Sequence, residues 1–461
     1  MKNWKGTHIL VIGAARQGKA ITRHLLKHGA SVILTDQKPA SELEITSGDL
    51  NHENLRFEFG GHSIDLIDGI DLVVVSGGVP LELPIIKQAI KTGIPISNDS
   101  QIFMEEIKAR VIGITGSAGK TTTTVLVGEI AKLALHKDQR VWVGGNIGVP
   151  LIEFLEEIQP NDLVVLELSS FQLELMNISP QVAAVLNITP NHLDRHANMQ
   201  AYIQAKTNIL ASQSPIDYGI LNREDQGSWD LLPKIKGKLV TFGIQKPDAG
   251  FPATYIDSNN KVCMKNLQKV YRIMPVEEIL LRGPHNILNA LAACSISFAA
   301  GLSYEAMRSG IRSVKGIPHR LEFVRKWRGV SWINDSIATA PERSMAAINS
   351  FTQPLVLLLG GRDKKLPWQD LAKVIHKRVK HVILFGEARE LIARVIGTIK
   401  KGDELQKISQ CVTLKEAIAE SAKIANSGDV VLLSPGGTSF DEFSDFEERG
   451  RQFKEWVMAL K

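Results

Sequence analysis

The sequence predicts an α/β protein built of three domains, and three observations carry that prediction. A pattern of apolar strand, glycine-containing turn and helix begins at the N-terminus. It restarts near Ala109 and again near Gly316. Most strands run into glycine or serine, as they do where an open α/β sheet meets its ligand. A length of 461 residues suits about two to four domains. The boundaries are placed at 1–108, 109–315 and 316–461.

In the first domain, His8 to Ile12 reads as a strand and Gly13 to Gly18 as a turn. Ala20 to Lys27 reads as a helix that Gly29 stops. Ser31 to Leu34 is a second strand ending at Asp36, and Asp71 to Val75 is a further one before Ser76-Gly77-Gly78. This alternation argues a parallel, Rossmann-like sheet. In the second domain, Val111 to Ile114 is a strand, Thr121 to Leu135 a helix, and Leu163 to Leu166 and Val182 to Leu186 are buried strands. In the third, Pro354 to Leu359, His381 to Phe385 and Val430 to Leu433 are strands, so it too reads as Rossmann-like.

Composition narrows the function. The chain is 44% hydrophobic and 22% charged, which excludes a disordered protein. A net charge of +5 is small for this length and gives no case for nucleic acid. The three cysteines, Cys263, Cys294 and Cys411, lie far apart, without disulfide or zinc spacing, which fits a reducing compartment. No apolar stretch approaches the roughly 18 residues of a membrane helix, and the N-terminus lacks a signal-peptide core. A soluble cytoplasmic protein is expected.

The strongest local feature is Thr115-Gly116-Ser117-Ala118-Gly119-Lys120-Thr121-Thr122 between a strand and a helix. Gly116 and Gly119 let backbone N–H groups approach a phosphate chain. Lys120 reaches the terminal phosphates, and the Thr121 hydroxyl suits Mg²⁺. The central domain therefore reads as a P-loop ATPase type. Gly13-Ala14-Ala15-Arg16-Gln17-Gly18 is a weaker dinucleotide-like turn with Ala15 in its middle, and Asp36 at the next strand end suits a ribose or nucleotide contact. A plain βα turn is equally open there.

Glu167 and His192 follow apolar strands and suit a shared metal ion at adjacent strand ends. Lys206, in a helical stretch, reads by itself as a solvated lysine. Asn286 and Asn289 stand one turn apart after Gly283-Pro284; Asn286 reads by itself as a helix cap, with purine recognition the alternative. Arg320 suits phosphate or a surface ion pair. Lys364 and Ser439, after glycine turns, suit recognition of a small substrate.

Taken in order, the phosphate loop, Glu167 to Ser170, Asn187 to Asp194, Gly283 to Asn289, His319-Arg320 and Asn334-Asp335-Ser336 resemble the Mur ligase family over essentially the whole chain. Gly144 to Gly148, Leu168 to Glu174 and Asp441 to Arg449 are similar to its glutamate-adding members. The resemblance implies an ATP-dependent ligase that adds glutamate to UDP-N-acetylmuramoyl-L-alanine through an acyl phosphate, in peptidoglycan precursor synthesis. It implies that the three domains bind the UDP moiety, ATP and the amino acid in that order. Gly116, Ser117, Gly119, Lys120, Thr121, Thr122, Asn286, Asn289, Arg320 and Asp335 are implied in ATP binding. Thr121, Glu167, His192 and Lys206, the last as a carbamylated lysine, are implied at Mg²⁺. Lys120, Glu167, His192 and Lys206 are the implied catalytic set. Gly13, Arg16, Asp36, Asn146 and His192 are implied toward the UDP-muramoyl substrate. Thr339, Lys364, Ser439 and Phe446 are implied toward glutamate. A monomer with no nucleic-acid or membrane partner is expected.

Three positions depart from the family pattern. Ala118 replaces the usual Asn, Ile337 replaces the usual Lys of the glutamate-adding members, and Ala340 replaces a common Asn. D-Glutamate is therefore the default, while L-glutamate, another amino acid or a folylpolyglutamate-type ligase stays open. Arg343 is the nearest substitute for the cation missing at 337. An NAD-dependent oxidoreductase or a non-catalytic UDP-sugar sensor would leave Lys120, Glu167 and His192 unexplained.

Overall fold

The structure, a computed structural model, describes residues 2–43, 50–191, 195–248, 250–267, 269–281, 283–364 and 366–460. The chain divides into two compact units, Met1–Lys315 and Gly316–Lys461.

The first unit holds two sheets. One is a five-stranded parallel sheet in the order Leu55–Phe59, Ser31–Asp36, His8–Ile12, Leu72–Val75, Ile96–Ser97. Strand order reverses beside His8–Ile12, so a crevice opens at its C-terminal end. The helix there begins at Arg16 and runs to Lys27, earlier than the sequence suggests, so the turn is only Gly13 to Ala15. Close packing explains the difference. Gly18 is not a turn residue but a contact point of the helix, since a Cβ there would lie 1.7 Å from the Gly13 carbonyl oxygen. Gly13 itself has φ +99°, a conformation that favours glycine.

The second sheet has nine strands: Val270–Pro275, Lys261–Lys265, Ala253–Ile256, Lys238–Phe242, Tyr218–Asn222, Val182–Val185, Arg110–Thr115, Leu163–Glu167 and Val141–Gly145. Seven are parallel, and an antiparallel hairpin closes one edge. Arg110–Thr115, third from one edge, is almost wholly buried, as a parallel strand with helices on both faces must be. The helix after it spans Lys120–Ala134.

The second unit carries a six-stranded sheet: Glu322–Trp327, Val330–Asn334, Val430–Gly436, Leu355–Gly360, Val379–Phe385, Lys407–Gln410. Only the first pair is antiparallel. Leu355–Gly360 and Val430–Gly436 are buried throughout, with apolar clusters around Leu357 and Trp368 on one side and Trp332 and Phe453 on the other. All three cysteines are free thiols. Among the described residues no helix is long and apolar enough to cross a membrane.

Candidate active site

The phosphate loop sits at the C-terminal end of the interior strand Arg110–Thr115. Gly119 is the N-cap of the following helix with φ +81°. A Cβ there would lie 2.3 Å from Asn289 Oδ1, so position 119 has neither the backbone freedom nor the space for another residue. The rest of the loop is braced by the segment after Val182–Val185. Ser117 N–H donates to the Asn187 carbonyl at 3.0 Å, Ala118 N–H donates to Asn187 Oδ1 at 2.8 Å, and Asn187 Nδ2 donates to the Ala118 carbonyl at 3.1 Å. Ser117 Oγ lies 2.9 Å from the Tyr202 hydroxyl.

Two ammonium groups converge on this loop. Lys120 Nζ and Lys206 Nζ each donate to the Gly116 carbonyl at 3.0 Å. Lys206, on the helix Met199–Ala211, is 1% exposed, so it is not the solvated lysine its sequence context suggests. Burial pushes its ammonium well below the ordinary lysine range; Lys120 pushes the same way and Glu167 opposes.

Glu167 ends the strand Leu163–Glu167 and is 2% exposed, so it is no surface carboxylate. Its Oε1 accepts from Asn146 Nδ2 at 3.0 Å, while its buried Oε2 has no hydrogen-bond partner among the described residues. The strands preceding Glu167 and the His192 segment are not adjacent. They flank Arg110–Thr115 on opposite sides, which brings both segments to the phosphate loop. His192 itself lies outside the described residues. Among the described residues no group of three or more His, Cys, Asp and Glu side chains is arranged to hold a metal ion.

Thr121 opens the helix beside Lys120, and Thr122 is buried. Asn289 Nδ2 donates to Asn286 Oδ1 at 3.0 Å, so the two amides meet beside Gly119. Asn286 does not cap its helix. Pro284–Ala299 begins two residues earlier with Gly283 as N-cap, because Pro284 already supplies the first-turn geometry.

At the first sheet, Asp36 is occupied by backbone. It accepts from Ala14 N–H at 2.7 Å and Lys38 N–H at 2.9 Å, and thereby shapes the turn that carries Gly13 and Arg16. Ser76 Oγ donates to the Gly13 carbonyl at 3.0 Å, tying the two sides of the crevice.

In the second unit the residues gather where Val330–Asn334 and Val430–Gly436 end. Asp335 is 5% exposed, and burial pushes its carboxyl up to about 7 against the opposing Ser434 hydroxyl, Leu321 N–H, Arg320 and Arg343. Arg320 follows His319, which holds φ +62° and whose N–H donates to Glu322 Oε2 at 2.9 Å. This sparsely populated backbone presents the guanidinium from a tight turn. Lys364 Nζ lies 3.4 Å from Thr339 Oγ1, Ser439 is buried, and Phe446 opens the helix Phe446–Met458. Arg343 Nη1 donates to the Ile337 carbonyl at 3.4 Å, which places the guanidinium beside position 337.

Comparison with known proteins decides the family. Residues 7–98 match the Mur ligase MurD-like N-terminal domain, residues 114–297 the Mur ligase middle domain, and residues 319–437 the Mur ligase glutamate ligase domain. The chain belongs to the Mur ligase family.

Relatives of this Mur ligase named UDP-N-acetylmuramoylalanine–D-glutamate ligase include those of Pelotomaculum thermopropionicum, 36% identical over 100% of this chain and 99% of the relative, and Symbiobacterium thermophilum, 38% identical over 98% and 97%. Among solved structures, the UDP-N-acetylmuramate-alanine ligase of Thermotoga maritima shares the fold at a TM-score of 0.59, with 20% identity and coverage of 99% of this chain and 100% of that one. MurF ligase from Thermotoga maritima, solved in complex with ADP, does so at 0.54, with 16% identity and coverage of 98% and 95%. The Mur ligase is an enzyme with an α/β fold of N-terminal, middle and C-terminal family domains.

Sequence reasoning gave no role to three residues that shape the Mur ligase site. Asn187 and Tyr202 brace the phosphate loop. Arg449, 0% exposed, donates to both Ser336 Oγ and the Ser336 carbonyl and to the Gly437 carbonyl, so one guanidinium ties the Asp335 and Ser439 loops together. Asn187 opens a conspicuous Asn-Ile-Thr-Pro-Asn-His run, which was a usable signal. Arg449 closed the Asp441 to Arg449 segment that the resemblance singled out, but an arginine in a charged helix does not reveal which loops it ties.

Proposed function

We propose that the chain adds D-glutamate to UDP-N-acetylmuramoyl-L-alanine in peptidoglycan precursor synthesis, converting ATP to ADP and phosphate. The observation that carries this reading is the convergence of Lys120, Lys206 and Glu167 around one glycine loop. These residues fit a phosphate chain and a divalent cation. The loop has no room for a Cβ at Gly119, and an acidic oxygen of Glu167 is buried without a partner among the described residues.

ATP, when bound, supplies the phosphoryl group that turns the acceptor carboxylate into an acyl phosphate, whose phosphate then leaves as the glutamate amine attacks the acyl carbon. The remaining work is positioning and charge compensation. Lys120 and the loop amides, with Gly116, Ser117, Thr121 and Thr122, hold phosphate. Thr121, Glu167 and His192 are the groups for Mg²⁺. Lys206, whose ammonium burial disfavours, would supply the neutral amine that CO₂ could convert to a carbamate with release of a proton, and that carbamate would add a negative group for Mg²⁺. Asn286 and Asn289 suit the purine edge, and Arg320 and Asp335 the rest of ATP. Gly13, Arg16, Asp36 and Asn146 suit the UDP-muramoyl substrate, and Thr339, Lys364, Ser439 and Phe446 suit glutamate. The division at 108/109 and 315/316 assigns these tasks to three domains of a cytoplasmic monomer.

The test is ADP formation by the purified chain on UDP-N-acetylmuramoyl-L-alanine with D- and L-glutamate compared. Turnover with D-glutamate supports the reading. Turnover with L-glutamate alone makes the assigned handedness wrong, and turnover only on a folate acceptor replaces the substrate class. Arg343→Ala, assayed alongside, should raise the glutamate KM roughly ten- to a hundredfold if its charge substitutes for the lysine absent at Ile337.

A further inference from the structure

His196 holds none of the roles given above, yet it stands at the centre of a continuous stack inside the first unit. Its side chain is 3% exposed. Its Nε2 lies 2.9 Å from Ser170 Oγ, next to the strand end that carries Glu167. Its ring lies parallel to Phe171, with centroids 5.2 Å apart and planes 5° from each other. It meets Tyr202 edge-on at 5.3 Å and 61°.

Each neighbour leads onward. The Arg195 guanidinium lies 5.2 Å from the Phe171 centroid and donates to the Gly78 carbonyl at the crevice of the first sheet. Tyr202 reaches the phosphate loop directly through its hydroxyl, 2.9 Å from Ser117 Oγ, and indirectly through its ring face, 4.8 Å from the Nζ of Lys206 one turn on in its own helix, which donates to the Gly116 carbonyl. A tyrosine hydroxyl and a tyrosine face are both directional, so whatever fixes the plane of this ring fixes both contacts. The His196 ring, held by its bond to Ser170, packs edge-on against it.

We infer that His196 is a positioning residue for ATP: through the plane of Tyr202 it sets Ser117 of the phosphate loop and Lys206 beside it. The inference rests on the ATP-site reading proposed above. It explains why a ring belongs at this position: parallel and edge-on contacts on two sides need a flat side chain, and the Ser170 bond locks its rotation.

The test is ATP–magnesium binding by the full chain, read by titration calorimetry without acceptor or amino acid. His196→Phe keeps the ring and loses the Ser170 bond; His196→Ala loses both. His196→Ala should weaken ATP roughly tenfold, and His196→Phe should recover most of that. In turnover, the KM for ATP should rise while that for glutamate stays unchanged, a split that a general loss of folded protein does not produce. Effects of His196→Ala and Tyr202→Phe should fall short of multiplying in the double variant. Wild-type affinity in a folded His196→Ala protein, or full multiplication with Tyr202→Phe, overturns the inference. If His196→Ala does not fold, His196→Gln stands in for it, and binding as tight as that of His196→Phe overturns the inference equally. A wild-type chain that binds ATP but forms no acceptor-dependent ADP overturns the proposed reaction and leaves this readout standing.

Discussion

Lys206 unites deep burial with a second ammonium on the same carbonyl, an arrangement that costs stability unless the charge is lost or reversed. Lys206→Ala should lose most activity, and a small added carboxylate such as acetate should restore part of it; a fully active variant would remove the carbamate from the account. Asp335 carries a second consequence. Unfolded, its carboxyl ionises near 3.8; folded, it holds its proton up to about 7. Between those values the native state binds more protons, so stability falls as pH rises through that window, and the cost is fully present above it. Asp335→Asn should therefore flatten the dependence of Tm on pH between about 4 and 7 and gain up to about 4 kcal/mol above that window. A Tm profile parallel to wild type would refute the assignment. Lys120 was legible from the spacing of the phosphate loop and Glu167 from its place at the end of an apolar strand, whereas Asp335 was reached only through the family resemblance. The burial of Lys206 was not legible, since a lysine in a helix reads as solvated until the sheet beneath it is known.

Helices here are placed by what they must touch. Arg16–Lys27 starts early because Gly18 packs onto the Gly13 carbonyl, a long-range demand that a glycine inside a turn-like sequence conceals. Gly18→Ala should cost about 1–3 kcal/mol by denaturant titration through overpacking, and should weaken the UDP-muramoyl ligand proposed for the Gly13 turn. Unchanged stability would mean that the helix shifts without penalty. The short helix Ser170–Glu174 follows a different logic. Its capping box of Ser169 and Gln172 was written locally, and it starts where that pattern says.

Among the strands that escaped sequence reading are two with weak or mixed patterns. Leu55–Phe59 alternates with Arg56 and Glu58, and Ile96–Ser97 is only two residues long. Long apolar runs such as Arg110–Thr115 and Leu355–Gly360 were legible because parallel strands are buried on both faces. Gly316–Lys461 encloses apolar clusters on both faces of its own sheet. Expressed alone, residues 316–461 should fold and unfold cooperatively, with dispersed amide resonances by NMR; a fragment without a cooperative transition would deny it an independent core.

The hairpin Lys261–Lys265 and Val270–Pro275 gives the nine-stranded sheet a property unrelated to catalysis. Parallel strands close only after long crossovers, so during synthesis their edges wait exposed, whereas a hairpin forms within microseconds. Once formed, it occupies the hydrogen-bonding edge of Ala253–Ile256 and ends its outer strand in Pro275, which has no N–H to offer a neighbouring chain. The hairpin thus replaces the edge of a parallel strand with one that ends in a proline, a less inviting template for another chain.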